Sequence, residues 1–410
     1  MVERGKLGKN SEIIQQQNRL LALQLIREKG VTSRIELASL TGLKQATITN
    51  IINELIEMDF VRETGLIEGK RGRRVKGITL NNEKMQIMVA RITTHYFAAG
   101  LYDLNGECIQ VEKVVWKENA RPLQKLEEVC GHLLKISVEN KKLVGAGIVF
   151  QGNEYTILSP LRTDIMEEHI EFLQEYFNQK LSTEVFIESM SNMSAYFAWN
   201  RLKRENRKNV SILVCLNISY SVDCAVISQG SLLRGADGMA GNYGHVSIDM
   251  NGPECECGNR GCINKYISVD AVKNCCGRLK AKYPDSVIGQ DSDIREIIRA
   301  YYEEDALAME LYADIAEKTG VVLTNLINQF EPEELIIGDE IPNDERFLNW
   351  VKESVSRRTK EKYSTKTDIR IFQEERKTER DVGMRGMSLY IVDEMLKRLD
   401  LISKEREKAR

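Results

Sequence analysis

A chain of 410 residues is too long for one ordinary hydrophobic core, so two or three domains are expected. Hydrophobic residues make up 42% and charged residues 29%, as in a soluble globular protein. No run of about 18 apolar residues occurs, which excludes a transmembrane helix, and the first ten residues lack the apolar core of a secretion signal. The protein is therefore expected in the cytoplasm, without a membrane partner. There its nine cysteines should be thiols or metal ligands rather than disulfides. The net charge of -3 is unevenly divided: residues 1–82 carry 14 Lys and Arg against 9 Asp and Glu, and the remainder is net negative. A weakly basic head on an acidic body suits nucleic-acid binding at one end.

In chain order, residues 10–29 form a first helix, with Ile13, Ile14, Leu20, Leu21, Leu25 and Ile26 as its apolar positions. Ser33 and Glu36 have the spacing of a capping box and start a short helix through Leu37, Ala38 and Leu40 that stops at Thr41-Gly42. A second helix then runs from Leu43 to Ile56, with a core stripe at Ile48, Ile51, Ile52, Leu55 and Ile56. A short helix, a glycine turn and a second helix with small polar residues at its start form a helix-turn-helix. Gln and Asn there can pair bidentately with adenine, and Thr can contact a thymine methyl. Residues 60–64 and 75–80 then predict a hairpin tipped by Lys70-Arg71-Gly72-Arg73-Arg74, a cationic wing suited to phosphate or minor-groove contact. The candidate contacts to duplex operator DNA are Ser33, Lys44, Gln45, Thr47, Thr49, Asn50, Arg71, Arg73 and Arg74. The alternative is a helical protein-docking module with a solvated cationic loop, which would show no salt-sensitive DNA affinity.

Beyond the head, strand-like runs at 85–91, 98–103, 143–149, 184–187, 211–218, 224–228 and 335–337 alternate with helical stretches such as 123–139 and 315–330. That alternation predicts α/β lobes. Three cysteines, Cys255, Cys257 and Cys262, lie within eight positions of a glycine-broken loop, ten residues and more after His245. Zinc accepts three Cys sulfurs and one His nitrogen in a closed tetrahedron, so one structural Zn2+ per chain is expected. The alternative is a set of small buried thiols. The remaining cysteines, Cys108, Cys130, Cys215, Cys224, Cys275 and Cys276, read as core residues.

The His-then-Cys-x-Cys-Gly-x-x-Gly-Cys motif, together with the winged head, resembles the ROK family (repressors, open reading frames and kinases), in its xylose-repressor and N-acetylglucosamine-repressor branch. The resemblance covers essentially the whole chain. It implies an α/β fold: an N-terminal winged helix-turn-helix at 1–82, then a two-lobed actin-like, hexokinase-like (ribonuclease H-like) body. The first lobe is expected at 83–200 and the second, with the zinc motif, at 201–410; a return of the C-terminal helix to the first lobe stays open. The resemblance also implies a repressor of carbohydrate uptake or catabolism genes, controlled by a sugar-like effector and assembled as a homodimer or dimer of dimers.

The kinases of this family need Gly-rich turns for phosphate and a general base for the sugar hydroxyl. Where they carry Asp-x-Gly-Gly-Thr-Lys, this chain reads Arg91-Ile92-Thr93-Thr94-His95-Tyr96. Their second glycine motif is replaced by Ser219-Tyr220-Ser221-Val222-Asp223, and Met190 stands at the position of the general base. No enzymatic activity is expected; the alternative is an active sugar kinase with a fused DNA-binding head. The family's sugar contacts map onto Ser189, Met190, Asn242, His245 and Asn264, of which only His245 keeps the family residue. Ser189, Asn242, His245 and Asn264 are the candidate effector contacts, the competing reading being a silent cleft.

Overall fold

The computed structural model describes residues 9–68, 74–93, 96–115, 123–138, 142–150, 163–181, 184–205, 210–236, 240–359, 366–372 and 381–408. Its elements run α1 (Lys9–Lys29), α2 (Arg34–Thr41), α3 (Gln45–Glu57), β1 (Val61–Glu68), β2 (Arg74–Leu80), β3 (Met85–Ile92), β4 (Tyr96–Tyr102) and β5 (Cys108–Val115). Then follow α4 (Leu123–Val138), β6 (Lys142–Phe150), α5 (Thr163–Leu181), β7 (Val185–Ser189), α6 (Met190–Arg204), β8 (Ile212–Ile218), β9 (Val222–Ser228) and β10 (Ser231–Leu232). The chain ends with α7 (Asn264–Ile267), α8 (Val269–Leu279), α9 (Ile294–Tyr302), α10 (Ala306–Phe330), β11 (Glu334–Asp339), α11 (Glu345–Arg358), β12 (Asp368–Ile371) and α12 (Val382–Lys408).

Two compact units form: Met1–Val149 with His169–Glu188 and Lys377–Arg410, and Phe150–Glu168 with Ser189–Arg376. These units differ from the expected spans in two places. The head shares a unit with the first lobe instead of separating at residue 82, because α1 packs on α12. The second unit begins at Ser189 rather than after residue 200, because α6 packs on β8 and β9. It ends at Arg376, and the C-terminal helix lies with β3 and β4 in the first unit, the return that the sequence left open.

In the first unit, β1 and β2 pair antiparallel, with an irregular register between Glu63 and Leu66. Thr32 adds a one-residue bridge to Ile78 of β2, exchanging both backbone hydrogen bonds at 3.0 and 2.7 Å. The lobe sheet has the order β5-β4-β3-β6-β7, and its β3–β4 and β4–β5 pairs are antiparallel. Helix α12 lies close on β6: a Cβ on Gly145 or Gly147 would stand 2.5 Å from Ile391 or Met387. Those glycines are what let helix and sheet approach.

The second unit holds a sheet of order β10-β9-β8-β11-β12. Its β8–β9 hairpin is antiparallel, while β8–β11 and β11–β12 are parallel. The parallel strands need crossover helices, supplied by α10 before β11 and by α11 between β11 and β12. Leu216, Ile218, Leu335 and Ile337 join Leu311, Ile315, Leu323 and Phe347 in one core.

Candidate nucleic-acid interface and metal centre

Helix α3 exists because its apolar stripe is consumed: Ile48, Ile51, Ile52 and Leu55 are all buried. Its opposite face presents Lys44, Gln45 and Asn50 exposed and Thr47 and Thr49 half-buried. No carboxylate lies in its first turn, so the positive end of the helix is left for an anion such as a backbone phosphate. The Thr49 hydroxyl donates to the Gln45 carbonyl at 2.9 Å. Asn53, missed in the sequence reading, is exposed one turn after Asn50; its i+3 spacing was the available signal.

The preceding helix is held by caps at both ends. The Ser33 hydroxyl accepts the Glu36 N–H at 3.2 Å, and Gly42, at φ 71°, returns its N–H to the Ala38 carbonyl. The expected capping box is only half made: the Glu36 carboxylate accepts from the Thr32 hydroxyl at 3.0 Å, and Lys29 sits 3.6 Å away. Ser33 is buried and caps the helix, which gives the candidate DNA contact a structural role of its own. Arg34 and Lys76 are tied to Glu63 at 2.8 and 2.6 Å. Lys76 and then Arg34 hold the Glu63 carboxyl below its usual range, so these two cations are neutralised within the head. Arg74 opens β2 and is exposed, whereas Arg71 and Arg73 lie outside the described residues.

In the second unit, His245 ends a turn at Tyr243–His245 that is fastened to β9 by the Gly241 carbonyl, which accepts the Cys224 N–H at 2.8 Å. The cysteine loop reverses at Gly258 and Gly261, at φ 87° and 66°. A side chain on Gly261 would meet the Asp249 carbonyl at 1.7 Å. One ligand atom from each of His245, Cys255, Cys257 and Cys262 falls within 4.8 Å of all the others. Cys257 Sγ and Cys262 Sγ are 3.6 Å apart, and His245 Nδ1 is 3.5 Å from Cys255 Sγ. A tetrahedral ion with metal–sulfur bonds near 2.3 Å requires sulfur–sulfur edges of about 3.8 Å, so the four residues fit one metal ion. Burial lowers the His245 pKa, favouring the neutral ring that a metal needs.

The turns that replace the kinase glycine motifs are bonded internally, by side chains and backbone. Thr93 is buried; its hydroxyl donates to the Tyr96 carbonyl at 3.0 Å and accepts the Tyr96 N–H at 2.9 Å. Thr94 lies outside the described residues. Arg91 forms an ion pair with Asp381 and lies over the Tyr96 ring. At the β8–β9 turn, the Ser219 N–H donates to the Ser221 carbonyl at 3.0 Å, and the Ser221 hydroxyl donates to Asp223 at 2.8 Å.

Of the candidate effector contacts, Asn264 lies against the Tyr243–His245 turn, where a Cβ on Gly244 would meet its amide oxygen at 2.2 Å. That oxygen accepts the Val222 N–H at 2.8 Å. Asn242 is half-buried at the start of the same turn. Ser189 is buried and caps α6, its hydroxyl accepting the Asn192 N–H at 3.2 Å.

Comparison with known families matches the ROK family over residues 89–394. The chain belongs to the ROK family. It is 27% identical to the xylose repressor of Caldicellulosiruptor bescii over 370 residues, covering 85% of this chain and 90% of that protein. It is 25% identical to the DNA-binding transcriptional repressor Mlc of Escherichia coli, covering 80% and 82%. The solved structure of a ROK family transcriptional regulator, a homologue of E. coli Mlc, superposes with a TM-score of 0.75 at 22% identity, over 94% of this chain and 99% of that one. A ROK family glucokinase from Streptomyces griseus gives 0.60 at 20% identity, over 74% and 98%. These structures show the fold: an actin-like ROK body preceded by N-terminal helices.

Proposed function

We propose that this ROK protein is a sugar-responsive, sequence-specific DNA-binding transcriptional repressor of carbohydrate uptake or catabolism genes, and that it is not an enzyme. What carries the reading is a contrast within the first unit: the polar start of α3 is open, while the Thr93–Tyr96 turn is closed by its own hydrogen bonds. The xylose repressors and Mlc among its relatives support the same reading. Lys44, Gln45, Thr47 and Asn50 face base edges, with Thr49 beside them; Arg71, Arg73 and Arg74 supply sequence-independent attraction from the wing. Recognition helices read half-sites in pairs, so a homodimer, or a dimer of dimers, on a pseudo-palindromic operator follows.

His245, Cys255, Cys257 and Cys262 would hold one Zn2+ per chain, a structural ion because four protein ligands leave no open position. A hydroxyl-rich, sugar-like effector is placed at Asn242, His245 and Asn264, where the Asn264 amide NH2 can donate; Ser189 is kept in the set as its most buried member. Effector and operator weaken one another reciprocally.

The test is selection of genomic fragments on the full chain, followed by operator release with a panel of pentoses, hexoses, amino sugars and their phosphates. Gln45→Ala with Asn50→Ala should lose roughly 1–3 kcal/mol of operator discrimination per base contact. Equal affinity for all duplexes, or sugar-dependent ADP release from ATP, would overturn the reading.

A further inference from the structure

Helix α1 carries two arginines eight residues apart, and each reaches a different element. Arg19 is paired with Glu54 of α3 at 2.7 Å, where Gln15 also donates at 3.4 Å. Arg27 donates from both terminal nitrogens to Asp393 of α12 at 3.3 Å, and from Nε to the Leu104 carbonyl at 3.1 Å. The Arg27 and Asp393 side chains are 2% and 0% exposed. Leu104 belongs to the turn between β4 and β5, which is gripped from both sides. Asn82, just after β2, accepts the Leu104 N–H at 3.2 Å, while Arg385 of α12 donates to the Gly106 carbonyl at 3.0 Å and to Glu107 at 2.6 Å. Gly106, at φ 77°, lies so close to Leu389 that a Cβ would stand 2.9 Å from it.

We propose that Arg27 and Asp393 are positioning residues for DNA reading: they make α1 a strut that fixes the angle of the recognition helix α3 on the first lobe. This rests on the DNA-reading function proposed above. A buried ion pair contributes little net stability, because desolvation offsets its attraction, but its geometry is restrictive. The Arg27 guanidinium has three of its nitrogens directed at two fixed acceptors on two elements. Rotation of the head about the short junction between β2 and β3 would break both. When two heads engage two half-sites, the second binding step depends on effective concentration, and that falls as the heads gain angular freedom. The pair should therefore control which half-site spacing is accepted, while leaving the base contacts of a single head unchanged.

The experiment selects operators from a duplex library with two arms and a spacer of varied length, using the full chain. It is repeated with Asp393→Asn and with the double variant Arg27→Met/Asp393→Leu. The apolar double variant keeps the site filled without a buried charge, so thermal melting should stay near that of the parent. The expected result is one preferred spacing for the parent. Both variants should accept several spacings, with affinity for the best two-arm duplex lowered by about tenfold or more and one-arm affinity within about twofold. Retention of the single spacing and full affinity by the double variant would overturn the proposal. So would loss of one-arm binding with a native melting profile, since the pair would then act on the reading face itself. If the parent prefers no duplex at all, the DNA-reading function fails instead, and amide exchange judges the strut. Faster exchange of the Leu104 N–H in the variants supports it, and unchanged exchange overturns it.

Discussion

The start of α3 and the turn between β3 and β4 are both short polar stretches at the ends of regular elements, and they treat their hydrogen-bonding groups in opposite ways. At α3 the side chains of Lys44, Gln45 and Asn50 are turned to solvent, beside a helix end without carboxylates. At Thr93 the hydroxyl serves as donor and acceptor to Tyr96, and Arg91, two residues before it, is held by Asp381. Polar residues alone therefore do not mark a ligand surface. What matters is whether folding has already satisfied them. One stretch leaves its groups open to solvent, and the other uses them to close a hairpin.

The cysteine loop that ends at Cys262 stands between those extremes. Its thiols and imidazole contact one another, and burial pushes the Cys262 thiol up to about 12, so three neighbouring thiolates need a cation to exist together. The largest expected effect lies here. Cys257→Ser should remove zinc measured by elemental analysis and lower stability by at least about 3 kcal/mol, since metal affinity is coupled to folding. A chelator acting on the parent chain should reproduce the loss. Protein purified without chelator that contains no zinc, or a variant that melts with the parent, would place this loop with the self-satisfied turns.

A smaller effect is expected at the closed turn. Thr93→Gly restores a kinase-like glycine and removes two hydrogen bonds of a buried hydroxyl, each worth roughly 0.5–1.5 kcal/mol, while adding about 0.5–1 kcal/mol of backbone entropy. The variant should lose about 3 kcal/mol by denaturant unfolding and should still show no ATP binding by calorimetry. Saturable ATP binding by Thr93→Gly would mean that a single side chain closes an otherwise intact phosphate site, and the contrast between the two regions would reduce to one methyl and one hydroxyl.

The sequence showed helix α3 because its period is local: Ile48, Ile51, Ile52 and Leu55 repeat over two turns, and all four are buried. The His/Cys3 quartet was legible for a similar reason, with three of its members inside eight positions and glycines at the reversals. Strand β5 was not identified, since as an edge strand it is mostly half-exposed and has no clean alternation. Strand β12 has four residues, too few for a period. The boundaries of the two units leave no local signal because the packing that sets them is long-range. Arg27 and Asp393 are separated by 366 positions, and no window on the chain shows them together. Thr32 pairs with Ile78 across the head with equally little local trace.

Ser33 offers the smallest and most discriminating test of the comparison. By sequence it stood both as a helix cap and as a DNA contact, and the two roles predict different losses. Its hydroxyl accepts the Glu36 N–H, and the residue is only 6% exposed. Ser33→Ala should therefore cost about 1 kcal/mol of stability, the usual value of an N-cap oxygen. It should leave the ranking of operator sequences and the salt dependence of binding unchanged. A Ser33 hydroxyl that donated to a phosphate would instead lower affinity for every duplex, with little change in stability. Denaturant unfolding and operator titration on the same preparation separate the two. A loss confined to affinity would show that a buried cap can serve the DNA as well, and that exposure is too strict a mark of the reading face. A loss confined to stability would leave the open start of α3 as the place where the head keeps its polar groups for another molecule.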